Sequence, residues 1–387
     1  MPDLNAVKSA LRRQQIELPL WAFGDAGTRL KLLAQPGAAR TPQEKIEDAA
    51  QVHALTGVAP RVAIHIPRDR VDDYAGLARF AAEHGVAIGA VNASAFLDDD
   101  CMLGSIAHPD PAVRRQTVDH LLECVDVMDA TGSADLKVWS GDGFSYAGQD
   151  DIRGRQARIT DALTEVYERL GGQQGLLLEH ELSEPSYYAT DMPDWGTSLL
   201  HCLALGPRAQ VVVDTTCHTP GLNTDFIVAL LLRAGRLGGL NVNSPLHAAD
   251  DLMVGAADPF QLFGILHQVV AADAHLPPAG VTLMLDQCHY LEPKVPAQIR
   301  SVLSVQEATA KAMLIDAAAL AAAQQAGDVL AANAVFMDAY HTDTRPLLAD
   351  LREEMGLDRD PVAAYRRSGY QEHIVSTRVG DTIPSWT

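Results

Sequence analysis

Eight short apolar runs, interleaved with helical stretches, constrain this chain more than any other feature of its sequence. They read "LPLWAF" (18–23), "RVAIHI" (61–66), "VAIGAVN" (86–92), "DLKVWS" (135–140), "GLLLEHE" (175–181), "AQVVVDT" (209–215), "GLNVNS" (239–244) and "TLMLDQ" (282–287). Each is rich in Val, Ile or Leu and too short for a helix, so each predicts a buried strand. The segments between them carry helical spacing. The clearest places Val118, Leu121, Leu122, Val125 and Met128 on one stripe. Asp110 and Pro111 suit the start of that helix and Gly132 its end. Gly85 and Gly235 mark two other helix ends. Alternation of this kind gives a parallel sheet covered by helices, and eight strands close most naturally into a (β/α)8 TIM barrel. An open doubly wound sheet is the alternative, but no G-x-G-x-x-G follows the first strand. We expect a helical N-terminal extension over 1–17, the barrel over 18–300, and a helical C-terminal extension over 301–387, where the chain turns Ala-rich and then charged.

Charge and cysteine usage exclude several classes. Asp and Glu (50) outnumber Lys and Arg (30), for a net charge of -20, which repels phosphate backbones and argues against nucleic acid. The five cysteines, Cys101, Cys124, Cys202, Cys217 and Cys288, are odd in number and widely spaced, so no disulfide framework is expected. Neither a signal peptide nor a long apolar span is present, which predicts no membrane association and a cytoplasmic location.

Chemistry in such barrels gathers where strands end. The polar residues at those ends are His65, Asn92, Trp139 with Asp142, Glu179 with Glu181, Asp214, Asn241 with Asn243, and Asp286. Glu179, Asp214, Asn241 and Asp286 are oxygen donors from four consecutive strands, a set that suits a hard divalent cation. Taken singly, each also suits a strand cap or a loop hydrogen bond.

Beyond this pattern the chain resembles the L-rhamnose isomerases of the broad-specificity bacterial type, within the xylose-isomerase-like barrels. The resemblance rests on "WAFGDAGTR", "HIPRD", "GSIAHPD", "VWSGDG", "EHELSEP", "DWGTSLL", "GRLGGLNVN", "MLDQCH" and "DPVAAYRRSGY", in that order over nearly the whole chain. It implies aldose–ketose interconversion on a monosaccharide, two divalent ions, usually Mn²⁺ with Mg²⁺ or Zn²⁺ as alternatives, and a homo-oligomer, dimer or tetramer. By motif, Glu179, Asp214 and Asp286 match carboxylate ligands of one metal, and Asn241 falls at a histidine ligand. His65 matches a histidine that contacts the sugar, and Trp139 an aromatic lining the sugar pocket, with core packing as its other reading.

Departures from the family pattern concentrate at the chemistry. Cys217 stands at a histidine ligand of the second metal, and Ala249 at an aspartate ligand, leaving Asp251 of that pair. Glu181 stands at a substrate-binding lysine, and Leu30 at a phenylalanine contributed by a neighbouring subunit. His218 and His247 lie close enough in sequence to compensate, or to bond loop carbonyls instead. Thus Cys217, His218 and Asp251 form a doubtful second metal set, while His65, Glu181 and Asp251 are the candidate catalytic residues. The expected activity is a metal-dependent sugar isomerase or epimerase with an altered second metal site. A non-catalytic sugar-binding or scaffold descendant, and a lyase using Glu181, are the alternatives.

Overall fold

The structure, a computed structural model, describes residues 3–28, 31–182, 189–219, 221–246, 251–272, 280–288 and 290–378. Eight parallel strands close into a barrel: β1 (Glu17–Pro19), β2 (Arg61–Ile66), β3 (Ala87–Ser94), β4 (Asp135–Trp139), β5 (Gly175–Glu179), β6 (Ala209–Asp214), β7 (Leu237–Val242) and β8 (Thr282–Leu285). Each strand pairs with its sequence neighbour, and β8 returns to β1 through Glu17 opposite Met284. The (β/α)8 barrel expected from the alternation is therefore the fold.

The seventh strand lies two residues earlier than its apolar run, and the first strand differs most. The expected strand over 18–23 ends at Pro19, and Leu20–Phe23 forms a 3₁₀ turn instead. Proline has no N–H for the ladder and fixes φ, so the chain leaves the sheet there while Leu20 and Phe23 remain buried.

Strand alternation sorts the residues onto two faces. Val62, Ile64, Leu136, Val138, Leu176, Leu178, Val211, Val213, Leu240, Val242, Leu283 and Leu285 point outward into one continuous apolar layer beneath the helices. The opposite face looks into the barrel and is small or polar. It carries Ala63, Ala90 and Met284, and on the same parity His65, Lys137, Trp139, Glu179, Asp214 and Asn241.

The covering helices follow ordinary capping rules. The helix predicted from the Val118 stripe is Pro111–Thr131, with Asp110 accepting from the Ala112 N–H and Gly132 left-handed at φ 74°. The helix Lys294–Met313, which follows β8, runs unbroken across residue 300. It receives the N-terminal helix (Leu4–Arg12) through Val7, Leu11 and Ala310. The Ala-rich segment forms helices Ala317–Gln325 and Val329–His341, which pack on Phe263 of the helix Pro259–Ala271. Arg378 closes the wrap by donating to buried Asp48 at 2.7 Å. No helix among the described residues is long and apolar enough to cross a membrane.

Candidate active site at the barrel mouth

The sequence "DTTC" builds the centre of the site by a local device. The Asp214 carboxylate caps its own turn, accepting from the Thr216 N–H at 2.7 Å and its Oγ1 at 2.8 Å. Thr215 N–H donates to the Asn241 carbonyl at 3.0 Å, tying the turn to β7. The turn folds Cys217 back toward the barrel axis. Glu179, Asp214 and Cys217, all buried, then offer ligand atoms that lie within 4.8 Å of one another. Among the described residues this is the group whose side chains could share a metal ion.

Asn241 and Asp286 complete the ring, but Asn241 presents an unexpected end. Its Nδ2 donates to Glu179 Oε2 at 3.0 Å and to Asp286 Oδ2 at 3.1 Å, while its Oδ1 accepts from Lys137 Nζ at 3.0 Å. Reversing the amide would set NH₂ against an ammonium and a carbonyl against two carboxylates, so the network fixes one orientation. The four sequence-predicted oxygen donors are therefore brought together, with Asn241 joined to the carboxylates through its nitrogen. Lys137 itself is fully buried, with Glu17 Oε2 at 3.7 Å.

Electrostatics at the mouth are dominated by crowded carboxylates. Burial, then Asp286 and Asp214, hold the Glu179 carboxyl well above the usual range. Burial, then Asp214 and Asp251, do the same to Asp286, although Trp21 Nε1 donates to its Oδ1 at 3.2 Å. Asp214 is raised by burial and partly relieved by its Thr216 and Asn243 hydrogen bonds. Burial, then Asp214, Glu181 and Glu179, push the Cys217 thiol well up. A cation placed among these groups would reverse every one of these directions.

The remaining sequence-predicted residues divide between the mouth and its surroundings. Glu181 is buried and accepts from Cys217 Sγ at 3.0 Å through Oε2, so it flanks the group. Asp251, at φ 44°, accepts from Asn243 Nδ2 at 3.3 Å and lies 3.5 Å from Thr216 Oγ1. His65 packs edge-on against Trp21, with its Nε2 2.9 Å from Ser94 Oγ, and its buried Nδ1 has no hydrogen-bond partner. Trp139 is half-buried and meets Phe96 edge-on at 5.1 Å. His218 turns away from Cys217 to His180, Nδ1 to Nε2 at 3.2 Å. Leu30, His247 and Ala249 lie outside the described residues.

Lys137 was not among the predicted site residues, and Asn243 was named as a polar strand-end residue without a role. Asn243 Nδ2 reaches both Asp214 oxygens at 3.3 Å, Asp251 at 3.3 Å and the Asp286 carbonyl at 3.4 Å, linking the ends of β6, β7 and β8. Lys137 carried a signal in the sequence: it sits two residues before Trp139 in "DLKVW", on the inward parity of an otherwise apolar strand.

Comparison with known proteins bears on this mouth. No family model matches the sequence. A probable sugar isomerase of Rhizobium meliloti (strain 1021) is 36% identical over 385 residues, covering 97% of this chain and 89% of the relative. A second probable sugar isomerase, from Mesorhizobium japonicum, is 36% identical over 383 residues, covering 97% and 88%. The chain belongs to this probable sugar isomerase family. Among solved structures it is similar to an L-ribulose 3-epimerase, with TM-score 0.57 at 14% identity over 79% of this chain and 98% of that one. It is also similar to a D-allulose 3-epimerase from Methylomonas sp., with TM-score 0.53 at 15% identity over 77% and 94%. At these identities the likeness is one of fold: the chain shares its barrel with the two epimerases.

Proposed function

We propose that the protein is a metal-dependent sugar isomerase, interconverting an aldose and a ketose, on an L-rhamnose-isomerase-like frame with a modified second metal site. The convergence of buried Glu179 and Asp214 at the barrel mouth, with Asp286 bridged to Glu179 through the Asn241 amide, carries this reading. Several uncompensated carboxylates are costly to bury, and a divalent ion is the ordinary means of relieving them. A bound ion of this kind polarises a sugar carbonyl as a Lewis acid.

The chain's own residues supply the rest. Trp139 offers an aromatic face to the C–H face of a monosaccharide. His65 directs an unsatisfied ring nitrogen to a sugar hydroxyl. Asp286 and Glu181 flank the Glu179–Asp214–Cys217 group and are the carboxylates that can hold or move a proton. The epimerase reading keeps the same residues and moves the proton at one carbon instead of between two. Exposed Leu200, Leu203 and Phe226, on the helices Trp195–Leu205 and Thr224–Arg233, support assembly into a homo-oligomer.

The test is a panel of aldoses and ketoses, L-rhamnose included, with Mn²⁺, Mg²⁺ or Zn²⁺ and after chelation. Chelator-sensitive interconversion of at least one sugar pair is expected. Sugar binding without turnover under every metal would leave the scaffold reading in its place.

A further inference from the structure

We infer that Cys217 is a metal-ligating thiolate, so that the centre of this barrel is a mixed carboxylate–sulfur site that prefers Zn²⁺ or Co²⁺ to Mn²⁺ or Mg²⁺. The inference rests on the metal-dependent reading above and concerns which ion the site takes and through which atoms.

Two independent features of the mouth lead to it. The first is the end of the ring that is closed. Lys137 holds the Asn241 carbonyl at 3.0 Å, and the Asn241 nitrogen is committed to Glu179 and Asp286. An ion approaching the all-oxygen face therefore meets an amide N–H where the ring needs a donor atom. The second is the end that is open. Cys217 Sγ lies with the Glu179 and Asp214 oxygens inside a 4.8 Å group. Asp214 is fixed by Thr216 and Asn243, which is how ligating carboxylates are held in place.

The donor set is then two carboxylates and a sulfur, three protein ligands in all. Three protein ligands and one open position describe a catalytic zinc-type site, the open position being where a sugar oxygen would bind. Beside the site, Trp21, whose Nε1 donates to Asp286, packs against His65, whose buried Nδ1 has no hydrogen-bond partner. Thiolate sulfur favours the borderline ions Zn²⁺ and Co²⁺, whereas Mg²⁺ and Mn²⁺ favour oxygen. Ligation exchanges the S–H bond for a sulfur–metal bond, and the released proton has an acceptor at hand in Glu181 Oε2, 3.0 Å away.

Cobalt gives a readout independent of turnover. The full chain, stripped with a chelator and titrated with Co²⁺, should develop a near-ultraviolet thiolate-to-cobalt charge-transfer band that saturates near one equivalent. The band should vanish in Cys217→Ser and persist in Cys288→Ser, the other thiol close to the mouth. Direct competition should show Zn²⁺ bound at least tenfold more tightly than Mn²⁺, and Cys217→His should shift that ratio toward Mn²⁺ at least tenfold. Cobalt bound without the band, a band lost only in Cys288→Ser, or no retained Co²⁺ or Zn²⁺ would each overturn the proposal. Should Cys217→Ser fail to fold, the wild-type cobalt spectrum and the Cys288→Ser variant still decide it. Sugar interconversion is scored separately. Chelator-sensitive turnover without a thiolate band leaves the isomerase reading standing and removes this one. A thiolate band with no turnover on any sugar does the reverse.

Discussion

The two faces of the same eight strands obey opposite rules. Outward residues are Val, Leu and Ile in one apolar layer, and inward residues toward the mouth are carboxylates, amides, a lysine and a histidine. Successive side chains on one strand therefore serve different purposes. Leu178 packs beneath the helices while Glu179 faces the candidate metal group. Stability is concentrated on the outer face. The inner face holds like charges together at a cost that the outer layer offsets.

The sharpest way to break this contrast is to mutate one residue of each kind. Asp286→Asn removes one of the crowded carboxylates at nearly constant volume; its amide oxygen still accepts from one of Trp21 Nε1 and Asn241 Nδ2, while its NH₂ faces the other. Turnover should fall roughly a hundredfold to ten-thousandfold, the usual range for a lost acid–base group. The melting temperature of the chelated protein should rise, because burial and neighbouring negative charge oppose ionised Asp286. Leu178→Ala should do the opposite, costing about 2–5 kcal/mol of stability with turnover per folded molecule nearly unchanged. Kinetics and thermal melts on both variants check the pair. A stabilised Leu178→Ala, or an Asp286→Asn that melts lower after chelation, breaks the division of labour.

Much of this arrangement was legible in the sequence, for identifiable reasons. Each apolar run marked a strand because barrel strands are buried on both sides, and Glu179, Asp214 and Asp286 stood out as charges ending such runs. Charge type and parity were enough for that. They did not tell which end of the Asn241 amide faces the carboxylates, since that depends on Lys137 reaching across from β4. Nor did they show that Cys217 joins Asp214 while His218 leaves it. The Asx turn formed by Asp214 and Thr216 decides that, and residue spacing alone does not show which way that turn carries each side chain. The register shift between Val211 and Val212, which brings Asp214 opposite Asn241, was equally hidden.

Lys137 makes the contrast sharper, since it is an inner-face residue whose role is support. It lies between Asn241 and Glu17, and Glu17 Oε1 also accepts the Ala90 N–H at 2.7 Å. Lys137→Met leaves the buried Glu17 carboxylate without its cation. A loss of roughly 3 kcal/mol is expected, since removing one partner of a buried pair exposes the desolvation cost of the other. Glu17→Gln added to Lys137→Met should recover most of that loss, because the remaining amide carries no charge. A denaturant double-mutant cycle measures it. Additive losses would mean that the two groups do not act as a pair.

The smallest effect belongs to Asp135, at the opposite end of the same inner row. Burial, and then the Glu17 carboxylate, raise its pKa from 3.8 to about 6. Between those values the folded protein holds a proton on Asp135 that the unfolded chain has released. Proton binding is then greater in the folded state, so the stability from this group falls as pH rises through the window. It is fully present below about pH 4 and gone above about pH 6. Asp135→Asn keeps the shape and removes the titration. Relative to wild type, the variant should therefore gain on the order of 1 kcal/mol between pH 4 and pH 7. Thermal melts of the two proteins across that range give the difference directly. A constant offset between them would show that Asp135 is solvated enough to ionise freely, and that the inner face is costly only at its mouth.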